Sequence, residues 1–89
     1  MYDILGMDWC GTCVATRKRL TALDIPHSYT TLPPGEAGWR RVEELTGRRA
    51  TPVILKNGVV MEWEDFRAEI NSINKTPRRL TQQELDEIE

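Results

Sequence analysis

The feature that most restricts the fold of this sequence is a pair of cysteines, Cys10 and Cys13, placed between a strand pattern and a helix pattern. Residues 2–5 (Tyr-Asp-Ile-Leu) read as a short strand. After the cysteines, Cys13, Leu20 and Leu23 fall on one face of a helix with 3.6 residues per turn. The Cys-x-x-Cys motif is therefore predicted at the start of a helix that follows a strand.

The chain beyond this helix alternates between strand and helix patterns. The helix stops before Pro26, because proline cannot continue it. The later predicted elements are a strand at 27–32, a helix at 36–45 closed by Gly47, strands at 53–55 and 59–61 joined by a hairpin turn at Asn57-Gly58, and a helix from 63 to about 74. The order β-α-β-α-β-β-α predicts the α/β class.

Residues 75–89 form a predicted linker and a short acidic helix outside the main domain of residues 1–74. Thr81 and Glu84 have the spacing of a capping box, which opens a helix. The segment is shorter than the roughly 12–15 residues at which an isolated helix is marginal in water. We therefore expect Leu80, Leu85 and Ile88 to dock weakly on the domain.

Composition and charge exclude several classes of protein. A length of 89 residues fits one domain, and 39% hydrophobic with 29% charged residues is typical of a globular chain. A net charge of −2 and the lack of a long apolar run argue against nucleic-acid and membrane binding. No secretion signal is visible, so a cytoplasmic protein is expected. Residues 10–56 carry an excess of basic side chains and 57–89 an excess of acidic ones, which fits complementary surfaces in one domain or a basic face for an acidic partner.

The cysteine pair predicts thiol–disulfide chemistry. Unpaired N–H groups and the dipole at a helix N-terminus favour the thiolate of Cys10, whereas Cys13 lies on the apolar face and should be more buried. An exposed nucleophile beside a buried resolving thiol suits disulfide exchange. Zinc would need four ligands, and the chain adds only His27 to the two cysteines. An iron–sulfur cluster shared between two chains, or a structural disulfide closing a four-residue loop, are the remaining alternatives.

The sequence resembles the thioredoxin superfamily. The resemblance rests on Trp9-Cys10-Gly11-Thr12-Cys13 at a strand–helix junction, Thr51-Pro52 before a strand, the hairpin turn at 56–58 and a closing helix. The compact layout is similar to glutaredoxins and to the glutaredoxin-like reductants of ribonucleotide reductase, the NrdH-redoxin type. It covers about residues 1–74 and implies a thioredoxin-like fold with a four-stranded mixed sheet flanked by helices.

The resemblance also implies roles for individual residues. Cys10 matches the nucleophile and Cys13 the resolving thiol. Pro52 matches a cis-proline that faces the disulfide, and Thr51 matches the residue whose backbone pairs with the substrate. An ordinary proline at the start of a strand is the structural alternative for Pro52.

Further substrate-contacting residues are implied around this centre. Trp9, Gly11 and Thr12 belong to the motif itself, and Trp9 is expected to pack beside the disulfide. Asp65 matches an aspartate that holds the amino group of glutathione, although an acid in the first turn of a helix also has a structural explanation.

The chain departs from the glutaredoxin and thioredoxin patterns at three positions. Met7 stands where glutaredoxins carry lysine or arginine, Met61-Glu62 replaces a Gly-Gly pair, and Ile4 replaces the buried aspartate of thioredoxins. The first two disfavour glutathione binding. Arg40, Arg41, Arg48 and Arg49 are candidate substitute cations.

These observations predict a monomeric dithiol–disulfide oxidoreductase that binds no metal and no cofactor. Its reductant would be glutathione or, more efficiently, a flavoprotein of the thioredoxin-reductase type. Its substrate would be a disulfide-containing protein, with ribonucleotide reductase as one implied target.

Overall fold

The computed structural model describes residues 1–7 and 9–88 and shows an α/β fold with a four-stranded mixed sheet. The elements in chain order are β1 (Tyr2–Gly6), α1 (Gly11–Ala22), β2 (His27–Thr31), α2 (Glu36–Thr46), β3 (Val53–Lys56), β4 (Val59–Met61), α3 (Trp63–Asn71) and α4 (Gln82–Ile88). The strand order is β2-β1-β3-β4. Strand β1 is parallel to β2 and antiparallel to β3, and β4 is antiparallel to β3. The element order predicted from the sequence is confirmed.

The register of the central strands brings two distant segments together. Leu5, near the end of β1, pairs with Val53 at the start of β3. The segment that follows β1 contains Cys10, and the segment that precedes β3 contains Thr51 and Pro52. Because the two strands are antiparallel, these segments meet at the same edge of the sheet.

Buried apolar side chains form two clusters, and helix α1 contributes to both. Leu20 of α1 and Leu23, the C-cap of that helix, belong to the first cluster, with Ile4 of β1 and Phe66 and Ile70 of α3. We call this the α3 cluster. Burial of a large apolar side chain contributes about 1.5–3 kcal/mol, so the burial of Phe66 and Ile70 holds α3 on the rest of the domain.

The second cluster surrounds the cysteines. Cys10 and Cys13 pack with Met7, Val42 of α2 and Val53 of β3. We call this the cysteine cluster. The disulfide thus lies within the hydrophobic core at one end of α1, so its surroundings are fixed by packing.

Two helix ends illustrate how well local sequence predicts boundaries. Gly47 adopts φ 76° at the C-terminus of α2, and its N–H donates to the carbonyl of Glu43. Glycine enters this left-handed region without steric cost, as predicted. Helix α3, however, ends at Asn71 rather than near 74. The chain tightens there, because Ile73 bonds back to the carbonyl of Ile70 instead of continuing the helix.

The C-terminal segment packs on α1, and the predicted capping box is confirmed. The N–H of Thr81 donates to Glu84 Oε1 at 2.9 Å, and the N–H of Glu84 donates to Thr81 Oγ1 at 3.2 Å. The backbone N–H of Arg78 donates to the carbonyl of Ala22 at 2.9 Å, and its guanidinium reaches Asp24 and Glu84. The three side chains expected to dock are half-buried: Leu80, Leu85 and Ile88.

Acid should release this C-terminal segment. Hydrogen bonds from Arg78 and from the backbone of Thr81 lower the pKa of Glu84 from 4.5 to about 2. A carboxylate with a lowered pKa stabilises the docked state above its unfolded pKa, and this stabilisation is lost as the pH falls from about 4.5 towards 2. We expect the protection of the backbone amides at 82–88, measured against an unstructured peptide at the same pH, to fall over that range.

Two variants separate this ion pair from general acid effects. Glu84→Gln should speed exchange at 82–88 already at neutral pH. Glu87→Gln, on the same exposed helix but outside the Arg78 contacts, should leave it unchanged. Equal protection in Glu84→Gln and the parent protein would contradict the role given to Glu84.

Over the described residues, no helix combines the length and the apolar character needed to cross a membrane.

Candidate active site

The two cysteines occupy the first turn of α1. Cys10 is the N-cap residue, and its Sγ accepts a hydrogen bond from the backbone N–H of Cys13 at 3.1 Å. The two sulfur atoms are bonded as a disulfide, and the Cα atoms lie 5.2 Å apart. When the bond is reduced, the same N–H and the helix dipole favour a thiolate on Cys10.

The difference in burial between the two cysteines is smaller than predicted. Cys13 is fully buried, but Cys10 also has only 6% of its surface exposed. The expectation of an exposed Cys10 is therefore corrected. The reason is tertiary packing, because the side chains of Met7 and Val53 pack in the same cluster and the segment before β3 lies against Cys10.

Thr51 lies beside Cys10, 41 residues away in sequence, and Pro52 follows it in the segment before β3. The Thr51–Pro52 peptide bond is cis. The hydroxyl of Thr51 is oriented to donate to Cys10 Sγ at 3.5 Å. A hydroxyl at this position can stabilise a thiolate on Cys10 in addition to the Cys13 N–H.

A groove of about 730 Å³ lies between the segment before β3 and the start of α3, and neither cysteine is among its lining residues. Thr12, Thr51 and Pro52 line the end nearest the cysteines. The charged residues that line it are one arginine and three acids: Arg48, Glu62, Glu64 and Asp65. A ligand in this groove therefore meets an excess of negative charge.

Two of the three positions that bear on glutathione binding line this groove, and both carry acids. Asp65 lies in the first turn of α3 and lines the groove. Glu62 forms a 2.5 Å ion pair with Arg48, so the carboxylate and the cation neutralise each other. Met7 is buried, with 2% exposure, and offers no charge.

The other candidate substitute cations are not placed in the groove. Arg49 forms ion pairs with Glu36 and Glu43, and Arg41 lies 3.6 Å from Glu44. Arg40 is exposed on α2. Of the four arginines considered from the sequence, Arg48 is the one among the groove-lining residues.

Trp9 projects from the surface next to Cys10. It is 68% exposed, and its ring lies 5.9 Å from that of Trp39, centroid to centroid, at an interplanar angle of 48°. Trp9 is expected to pack beside the disulfide, and among the described residues its ring also contacts Trp39 of α2. Gly11 is exposed with open space where a Cβ would lie, so the motif leaves an approachable surface at this end of α1.

Gly6, at the end of β1, is a site residue that the sequence analysis does not single out. A Cβ atom at Gly6 would lie 2.8 Å from Cys13 Sγ and would clash with the hydroxyl oxygen of Tyr29. The bare backbone of β1 therefore makes room for the buried sulfur. A glycine ending the strand that leads into Cys-x-x-Cys was the available signal.

Gly6→Ala should destabilise the protein. Overpacking of a core costs about 1–3 kcal/mol, and the added methyl group meets a sulfur and a phenol that are both fixed by packing. We expect the unfolding free energy to fall by about that amount in a denaturant titration. Gly11→Ala, where no atom lies within 4 Å of the added Cβ, is the matched control and should not be destabilised. Equal stability of the Gly6→Ala variant and the parent protein would contradict this reading.

A scan of known protein families finds no family model that matches the chain, and no curated protein matches it significantly. The functional assignment therefore rests on the residues and geometry described above.

Proposed function

We propose that this protein is a dithiol–disulfide oxidoreductase with a thioredoxin-like fold. The observation that carries the proposal is the position of Cys10 Sγ. It lies at the N-terminus of α1, bonded to Cys13, within reach of the Cys13 N–H and the Thr51 hydroxyl. These groups favour a thiolate, and a thiolate is the attacking species in disulfide exchange.

The thioredoxin-like assignment has its own support. The sheet order β2-β1-β3-β4, the position of the cysteines after β1 and the cis bond at Pro52 before β3 agree with the resemblance in sequence. Because the central strands β1 and β3 are antiparallel, the cysteines after β1 and the proline before β3 lie at the same end of the sheet. On this basis residues 1–74 form the catalytic domain.

The proposed reaction proceeds in two exchange steps. The thiolate of Cys10 attacks one sulfur of a target disulfide, forming a mixed disulfide while the other target sulfur leaves and takes up a proton. Cys13 then loses its proton and attacks the sulfur of Cys10, which expels the second target sulfur as a thiol after protonation. The target is reduced by two electrons, and the Cys10–Cys13 disulfide forms.

The surroundings of Cys10 favour a protein as the substrate. An extended segment of a target can lie along the groove past Thr51 and Pro52, where backbone pairing adds it as a further strand. The exposed indole of Trp9, next to Cys10 in the chain, offers an apolar contact for the target. We propose a cytoplasmic enzyme whose disulfide must be reduced in each cycle, such as ribonucleotide reductase, as the target class.

Reduction of insulin disulfides by dithiothreitol tests the activity. We expect catalytic amounts of a colourless monomeric protein to accelerate insulin precipitation. No acceleration would overturn the proposal. A brown dimer with visible absorbance after anaerobic purification would instead indicate an iron–sulfur carrier that uses the same cysteines.

A further inference from the structure

The phenol of Tyr29 lies close to the buried sulfur of Cys13. Both the Tyr29 hydroxyl oxygen and Cys13 Sγ fall within 3 Å of a single point, the position that a Cβ of Gly6 would occupy. Tyr29 lies on β2, next to β1, and pairs with Ile4. It packs on both the α3 cluster and the cysteine cluster, so its ring is held from two sides.

Cys13 needs a polar neighbour to perform the resolving step. It must become a thiolate before it can attack Cys10. Its side chain is fully buried, and its cluster neighbours Met7, Val42 and Val53 are apolar. Burial among apolar groups disfavours a charge, so a thiolate forming there without a hydrogen-bond donor would be costly.

The positive charge of Arg17 above the Tyr29 ring favours the Tyr29 hydroxyl as a hydrogen-bond donor. The guanidinium carbon of Arg17 lies 4.1 Å from the ring centroid. A cation over the ring withdraws electron density from the phenol and strengthens its O–H as a donor. The same positive charge favours an anion nearby.

We propose that the Tyr29 hydroxyl donates a hydrogen bond to the Cys13 thiolate during the resolving step, making Tyr29 a positioning residue for that thiolate. The phenol stays protonated throughout. The proton lost by Cys13 passes to the departing target sulfur, the Cys13 sulfur bonds to Cys10, and the bond between Cys10 and the target breaks. This inference rests on the proposed function.

Tyr29→Phe isolates the hydroxyl, because it keeps the ring that both clusters require. In a Cys10→Ser background Cys13 is the sole thiol, and its ionisation can be followed by thiolate absorbance as the pH is raised. A hydrogen bond to a charged group corresponds to about one to two pH units, so the midpoint should rise by that amount on losing the hydroxyl. This readout requires no turnover.

The two-cysteine protein gives a kinetic readout of the same step. A dithiobis-nitrobenzoate reagent releases one coloured thionitrobenzoate when Cys10 attacks and a second when Cys13 resolves the mixed disulfide. In Tyr29→Phe the first release should be unchanged at neutral pH. The second release should slow about threefold to tenfold, because a smaller fraction of Cys13 is ionised. The loss is partly offset, since the more basic thiolate is also the stronger nucleophile.

Tyr2→Phe is the matched control. Tyr2 is buried and Tyr29 half-buried, but the Tyr2 hydroxyl donates to Glu69 and its ring packs in the α3 cluster. It should leave the midpoint and both rates unchanged. Arg17→Met keeps the tyrosine and should raise the midpoint by less than Tyr29→Phe does.

The possible results separate this inference from the proposed function. Two releases in the parent protein, with an unchanged midpoint and second rate in Tyr29→Phe, overturn the role of Tyr29 alone. An equal shift in Tyr2→Phe also overturns it. Absence of a second release in the parent protein itself contradicts the proposed two-cysteine mechanism instead.

Discussion

Cys10→Ser should reduce insulin-disulfide reduction by roughly a thousandfold or more, because removing the nucleophile removes the first exchange step. The sulfur of Cys10 accepts hydrogen bonds from the Cys13 N–H and the Thr51 hydroxyl. The thiolate should therefore form on Cys10. Steady-state rates with dithiothreitol as the reductant provide the measurement.

Cys13→Ser should behave differently, and the contrast is the test of unequal roles. The variant retains the Cys10 nucleophile but cannot resolve the mixed disulfide, so target proteins should remain covalently bound to it. Non-reducing electrophoresis detects such adducts, and reduction should release them. Adduct formation through Cys13 in Cys10→Ser, and none in Cys13→Ser, would reverse the assignment.

Turnover with glutathione should be at least about tenfold slower than with a flavoprotein of the thioredoxin-reductase type. Glutathione carries two carboxylates and one ammonium group. The groove offers it three acids and one arginine, and Arg48 is already paired with Glu62. Each missing hydrogen bond to a charged group costs about 1.5–3 kcal/mol, which is tenfold or more in affinity. Rates of NADPH oxidation in the two coupled assays decide between the donors.

A variant in which a groove carboxylate is replaced by a neutral amide tests the reason for this preference. Glu62→Gln frees Arg48 and removes one carboxylate, so kcat/KM for glutathione should rise. Glu44→Gln removes a carboxylate near Arg41, outside the groove-lining set, and should have no effect. Fast, saturable turnover of the parent protein with millimolar glutathione, and none with the flavoprotein, would show that Asp65 and Arg48 suffice.

The secondary structure of this protein could be predicted closely from local patterns. Gly47, Pro26 and the Asn57-Gly58 turn act on the backbone near them, through φ restriction or permissive positive φ. The spacing of Leu20, Leu23, Phe66 and Ile70 identified helix faces that are buried in the structure. Such signals are local, so one sequence suffices to read them.

The surroundings of the cysteines could not be read in this way. The low exposure of Cys10, the pairing of Arg48 with Glu62 and the contact between Trp9 and Trp39 join residues from separate elements. Tyr29 lies in the strand predicted at 27–32, and no local pattern marks it as a neighbour of Cys13. Its position depends on the pairing of β1 with β2, and on the lack of a side chain at Gly6.

The sequence by itself thus determined the order of elements, the helix-terminal placement of Cys10 and the buried placement of Cys13, because each follows from backbone preferences and a 3.6-residue period. The tertiary structure alone decided which side chains surround the two sulfurs. Antiparallel pairing of β1 with β3 brought Thr51 to Cys10, and parallel pairing with β2 brought Tyr29 to Cys13. Strand register acts between segments that are far apart in sequence, so no local pattern contains it.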